Sequence, residues 1–184
     1  MDAHLERKLR ELIDRQEIWD VMLRYARGMD RFDGAMVRTC YHDDALDDHH
    51  SFVGTPDQLI DWATAFHRQF QKLHHHTLSN HTCEIDGDNA HAETYYTFVG
   101  ANKQPPHLLS IGRYVDHLQR RNGVWKILSR VCVIEQNFDL LENEGADVVA
   151  DTPGLAPPLP AGRDRSDLSY QRPVVPRRPA VRTQ

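Results

Sequence analysis

The sequence predicts an α+β domain in which N-terminal helices pack on a curved, mainly antiparallel sheet and enclose a cone-shaped pocket. Three observations predict it. Helical periodicity runs up to Leu73 and strand texture follows, the order expected when helices segregate to one face of a sheet. Two hairpin signals, Asp86-Gly87-Asp88 and Arg121-Asn122-Gly123, divide the second half into long runs rich in Thr, Tyr, Val and Ile. A length of 184 residues, with 40% hydrophobic and 27% charged side chains, fits one globular domain.

The first helix is expected over residues 4–30. Leu5, Leu9, Leu12, Trp19, Met22, Ala26 and Met29 recur at three- and four-residue steps or their multiples, and no Gly or Pro intervenes before Gly28. A short second helix from Gly34 to Tyr41 would turn Met36, Val37 and Cys40 inward. The acidic, His-rich run Tyr41 to Val53 reads as a loop with a short strand. Gly54-Thr55-Pro56-Asp57-Gln58 is a strong helix start: Thr55 suits the N-cap, Pro56 the first helical position, and Gln58 completes a T-x-x-Q capping box. Behind it Leu59, Trp62, Ala63, Phe66, Phe70 and Leu73 form an apolar stripe. Strands are expected over 75–85, 90–100, 108–120 and 124–134.

The chain divides near residue 150. Seven of its ten prolines lie at or after Pro153, in a segment with few large apolar residues. Residues 1–150 are therefore expected to form the domain, and 151–184 a Pro/Arg-rich tail, extended or disordered. Six arginines and three aspartates give that tail +3, so a net charge of −5 leaves −8 on the body. An acidic body is a poor partner for a phosphate backbone, and no nucleic acid is expected to bind. No stretch approaches 18 consecutive apolar residues, which argues against a membrane span. Cys40, Cys83 and Cys132 are widely spaced, without a CxxC, and no secretory leader is apparent at the start. A reducing cytoplasm is the expected compartment.

Several polar residues sit in apolar settings. Asp30 ends the first helix, His76 begins a strand, and Arg130 lies on the last strand. By alternation Arg130 would share a face with Leu128, Cys132 and Ile134. A buried arginine needs a carboxylate partner or an anionic substrate oxygen. Asp30 and His76 could form a dyad, since a carboxylate on one imidazole nitrogen fixes the tautomer and raises the basicity of the other. Tyr25 lies five residues before Asp30, about 140° around a straight helix, so the two could line different sides of a cavity at the helix end. Asp47-Asp48-His49-His50 and His74-His75-His76 are dense in metal-ligand types, but adjacent strand residues point to opposite faces, and no metal is expected.

These features together resemble a known family. Arg24-Tyr25-Ala26-Arg27-Gly28-Met29-Asp30-Arg31-Phe32-Asp33, His76-x-x-x-Asn80, the Ile85-to-Ala90 turn, Gly112-Arg113-Tyr114-x-Asp116 and Gly123-Val124-Trp125-Lys126-Ile127-x-x-Arg130 follow in order. The pattern resembles a SnoaL-like domain of the NTF2-like superfamily of cone-shaped α+β barrels, and within it the scytalone dehydratase, hexachlorocyclohexane dehydrochlorinase and bile-acid 7α-dehydratase group. That resemblance implies a lyase working through an Asp–His dyad without metal or organic cofactor. Asp30, His76, Tyr25 and Arg130 would form the catalytic set. Trp62, Phe66, Phe98 and Leu128 would wall a pocket for a small, hydrophobic, cyclic hydroxy-ketone of steroid or polyketide type. It further implies a homo-oligomer, a trimer. A ketosteroid-isomerase-like proton shuttle and a non-catalytic small subunit of a ring-hydroxylating oxygenase are the alternative readings of the same fold.

Overall fold

The computed structural model describes residues 2–141 and 161–176. Helix α1 spans Ala3–Asp30, with the Asp2 carboxylate accepting from the His4 N–H at its start. Its first three turns leave Leu5, Leu9, Leu12 and Ile13 exposed, and contact with the body begins at the buried Asp14, which accepts from the Trp125 indole N–H at 2.8 Å. From Ile18 onward Val21, Met22, Tyr25, Ala26 and Met29 are buried at helical spacing.

The end of α1 is set by backbone geometry. Asp33 N–H donates to the Gly28 carbonyl and Phe32 N–H to that of Met29, the paired bonds of a Schellman stop. Phe32 takes the left-handed position with φ 49°, where glycine is usual. The guanidinium groups of Arg68 and Arg163 lie 4.5 and 4.4 Å from its ring centroid. Helix α2, Gly34–Arg38, follows at once, with the Asp33 carboxylate capping it through Met36 N–H. Helix α3, Pro56–Phe70, begins with both halves of the expected Thr55/Gln58 capping box in place.

Strands β1 (Tyr41–Asp48), β2 (Val53–Gly54), β3 (Gln71–Asp86), β4 (Asn89–Asn102), β5 (His107–Arg121) and β6 (Val124–Leu140) form one sheet in the order β2-β1-β6-β5-β4-β3. All pairs are antiparallel except β1 with β6. The run from Tyr41, expected as a loop with a short strand, is thus mostly strand. Asn122 and Gly123 both have positive φ, 54° and 77°, which matches the right-handed twist of the β5–β6 hairpin.

A bulge in β6 changes which residues face the helices. His117 pairs with Ser129 and Leu118 with Ile127, leaving Leu128 as the extra residue. Trp125, Ile127 and Arg130 are therefore all buried, although Ile127 and Arg130 are an odd number of residues apart.

Residues 161–176, within the expected tail, lie against the end of α1 and the start of β3. Arg163 donates to the Gln71 and Lys72 carbonyls, and Arg165 and the Tyr170 hydroxyl both reach Asp33. A single turn of 3-10 helix, Leu168–Tyr170, sets Ser169 against Arg27. The rest of that tail, 151–160 and 177–184, falls outside the described residues.

Candidate active site

A cavity of about 220 Å³ opens between α1, α3 and the concave face of the sheet. Its wall is aromatic: Tyr25 from α1, Trp62 and Phe66 from α3, Tyr96 and Phe98 from β4, and Tyr114 from β5. Polar groups are few. They are His49 to Ser51 after β1, His67, His76, Ser110 and Asn137, with the Cys132 thiol beside them.

Asp30 and His76 meet although they are 46 positions apart. His76 Nδ1 lies 2.6 Å from Asp30 Oδ1, and the His76 backbone N–H donates to both carboxylate oxygens at 3.2 and 3.1 Å. The ring N–H and backbone N–H together fix the carboxylate, so Nδ1 carries the proton and Nε2 is left as the acceptor nitrogen. Burial favours the neutral acid at Asp30, but the hydrogen bonds from the His76 ring and backbone outweigh it and hold the pKa below the usual carboxylate value. His76 faces the cavity, while Asp30 lies behind it, lining a separate cleft with Ala26, Arg31 and Leu78.

His74 joins this group without sharing its chemistry. Arg163 donates to His74 Nδ1 at 2.8 Å, so the ring proton sits on Nε2, which donates to the Met29 carbonyl at 3.0 Å. His67 stacks on it at a centroid distance of 4.0 Å. Burial holds both neutral, with pKa values lowered to about 3 for His74 and about 4 for His67. Among the described residues Asp30, His74 and His76 are the group whose ligand atoms come within 4.8 Å of one another. A metal ion there would have to displace the partners that engage both His74 nitrogens.

Arg130 does not reach the cavity. It is fully buried and donates twice to Asp116, at 2.7 and 2.9 Å. Its guanidinium carbon lies 4.2 Å from the centroids of both Tyr25 and Tyr114, which stand between it and the cavity. Burial opposes its charge, but Asp116 holds the proton firmly in place. The charge of Arg130 is thus paired with a carboxylate of the protein through Nε and Nη2, while its buried Nη1 has no hydrogen-bond partner, and the guanidinium polarises the two tyrosines from behind.

The structure brings Tyr25, His76, Trp62, Phe66 and Phe98 to the cavity wall, with Asp30 behind His76. It does not bring Leu128 there: the β6 bulge takes that residue out of the alternation that would share its face with Arg130, while Cys132 and Ile134 do line the wall. Sequence reasoning missed His49 and its partner Asp47. The spacing Asp47-x-His49 held the signal, because residues two apart on an extended chain share a face. Instead the run reads in sequence as a loop dense in adjacent metal-ligand types.

A SnoaL-like domain model matches residues 10–131. The chain belongs to the SnoaL-like domain family. Among curated proteins none matches its sequence significantly. Solved structures agree on the fold. A scytalone dehydratase-like protein from Novosphingobium aromaticivorans aligns with a TM-score of 0.64 at 18% identity, covering 72% of this chain and 91% of that one. A type 2 hexachlorocyclohexane dehydrochlorinase aligns at 0.69 and 20%, covering 80% and 99%. The type 3 dehydrochlorinase from Novosphingobium barchaimii aligns at 0.68 and 19%, covering 72% and 94%. This SnoaL-like chain has the α+β NTF2-like fold, and solved structures similar to it include dehydratase-like and dehydrochlorinase proteins.

Proposed function

We propose that the protein is a cofactor-independent lyase, a dehydratase that removes water from a small cyclic hydroxy-ketone. The observation that carries this reading is the Asp30–His76 pair at the wall of an aromatic cavity, with the acceptor nitrogen of His76 left for substrate.

In the proposed reaction His76 Nε2 takes a proton from the carbon next to the carbonyl. Asp30 keeps the ring oriented and stabilises the imidazolium. Tyr25, whose hydroxyl proton is held tightly by burial and by the nearby negative charge of Asp47, donates to the carbonyl oxygen as it becomes an enolate. The enolate collapses, the C–O bond breaks, and the hydroxyl leaves as water with the proton that His76 took. Trp62, Phe66 and Phe98 hold the ring system flat. Since ligand pockets commonly enclose roughly 300–1,000 Å³, a cavity of about 220 Å³ favours a compact substrate of one or two rings. The similarity to dehydratase-like and dehydrochlorinase structures supports elimination as the reaction class. We propose a homotrimer, as the family resemblance implies; sedimentation velocity showing a lone chain at micromolar concentration would refute that.

The test is turnover of cyclic β-hydroxy-ketones, followed by appearance of the conjugated enone. His76→Ala and Asp30→Asn should each lose at least about 100-fold in rate, the usual worth of a general base and its support. Variants keeping activity within about threefold would remove the dyad from the mechanism. Double-bond migration in a β,γ-unsaturated ketone, with no water lost from the hydroxy-ketone, would make the protein an isomerase with the same base.

A further inference from the structure

The cavity holds a second imidazole–carboxylate pair that the elimination above does not use. Asp47 has no exposure to solvent, and its two oxygens are separately engaged. The Tyr41 hydroxyl donates to Oδ2 at 2.6 Å, and Oδ1 meets His49 Nδ1 in a short contact. The other His49 nitrogen, Nε2, lies 3.3 Å from the Tyr25 hydroxyl oxygen, and both residues line the cavity. The chain Tyr41–Asp47–His49–Tyr25 therefore runs from the core to the wall, with each carboxylate oxygen taking one donor.

We propose that Tyr25, His49 and Asp47 form a second proton-handling unit, which seats a ligand oxygen that carries or gains negative charge. The reasoning is one of donors. A buried carboxylate beside an imidazole stabilises the doubly protonated ring, in which both nitrogens donate. His49 Nε2 then donates to the Tyr25 oxygen, and the Tyr25 O–H is free to point into the cavity. A hydroxyl that accepts from a cation is a stronger donor to the next oxygen. Burial alone would strip the His49 proton, but the charge and bond of Asp47 overcome it and raise the pKa to about 9. The other titratable groups around the ring are Tyr25 from α1, Tyr114 from β5 and Cys132 from β6, with the Arg130–Asp116 pair beyond. Trp62 from α3 adds an aromatic face at 6.5 Å.

The ligand class follows: a flat, compact ring bearing an acidic oxygen, of which the enolate of the proposed reaction is a transient member. The catalytic use of this seat rests on the elimination reading, whereas binding to it does not.

The test uses the full chain and two neutral-versus-anionic isosteres, 2-naphthoate and 2-naphthamide, by calorimetry from pH 6.5 to 10.5. The carboxylate should bind about tenfold or more tightly than the amide at pH 7.5, the difference expected of one charge-assisted hydrogen bond. The preference should fade as pH rises through about 9. His49→Gln should abolish it while leaving amide binding within about twofold, and Asp47→Asn should move its loss to lower pH. Ring nitrogen NMR of the unaltered protein gives a check independent of any variant's folding: both His49 nitrogens should be protonated at pH 7.5. Equal affinity for the two probes, no measurable binding of 2-naphthoate, a preference that survives His49→Gln, or a neutral His49 ring would each overturn the proposal. If Asp30→Asn retains turnover while the His49-dependent preference holds, only the elimination reading fails.

Discussion

Arg130 and Tyr25 touch, yet they have different tasks. Arg130 is wholly buried against Asp116, so replacing it by methionine strands a carboxylate in the core. Breaking one side of such a pair costs about 3–5 kcal/mol, and chemical denaturation of Arg130→Met should show a loss of that size. The double variant Arg130→Met with Asp116→Leu should recover much of it, because no unpaired charge remains. Tyr25 faces the cavity, and Tyr25→Phe removes a donor while keeping the ring that covers Arg130. That variant should fold normally and lose about 100-fold or more in kcat, the usual worth of one oxyanion donor. An unchanged kcat in steady-state assays would move the carbonyl oxygen elsewhere. At this scale Asp30, His76 and Arg130 were legible in the sequence as polar residues in apolar settings, and Tyr25 through its place five residues before Asp30 in the family pattern. Their division into cavity wall, support and core was not, because that depends on which neighbour shields each group from solvent.

The helix end that carries Asp30 is held by close backbone packing. A Cβ on Gly28 would come within 2.6 Å of Val37 Cγ2, so α1 and α2 approach each other there only because residue 28 has no side chain. Gly28→Ala should destabilise the fold by about 1–3 kcal/mol through overpacking, with a matching fall in melting temperature. It should also slow turnover, since Asp30 is two residues on. The segment 161–176 supports the same corner from outside. Arg163 bonds to His74 and to the Gln71 and Lys72 carbonyls while lying over Phe32. Arg163→Ala should cost about 1–3 kcal/mol, and hydrogen exchange should quicken at the start of β3. Composition marked this stretch as a tail, since Pro and Arg without apolar periodicity carry no sign of what they dock against. The β6 bulge was hidden for a related reason: an extra residue is visible only against the partner strand that fails to match it, and so Leu128 was read one face out.

Across the whole molecule, buried histidines shape the response to pH. His67 and His74 are neutral inside, with pKa values lowered to about 4 and 3 from an ordinary 6.5. The unfolded chain binds those protons first, so stability is lost as pH falls from about 6.5 toward 4. His49 does the reverse. Its raised pKa, about 9 against 6.5, contributes stability that is complete below about 6.5 and disappears as pH climbs through 9. Thermal unfolding should therefore show a maximum around neutral pH with a fall on each side. Asp47→Asn should flatten the alkaline fall and leave the acid one in place; an unchanged alkaline limb would mean that His49 is not the group that titrates there.

Helix starts, hairpin turns and element order were determined by the sequence itself, because capping boxes, Asn-Gly pairs and apolar periods act between residues a few positions apart. The partnership of Asp30 with His76 was legible through a family pattern, although spacing alone could not establish it. Only the tertiary structure decided that Arg130 pairs with Asp116, that His49 enters the cavity on a buried Asp47, that Leu128 turns away, and that residues 161–176 return to the body. Each of these depends on contacts between distant segments, where packing and desolvation, rather than local propensity, choose the partner.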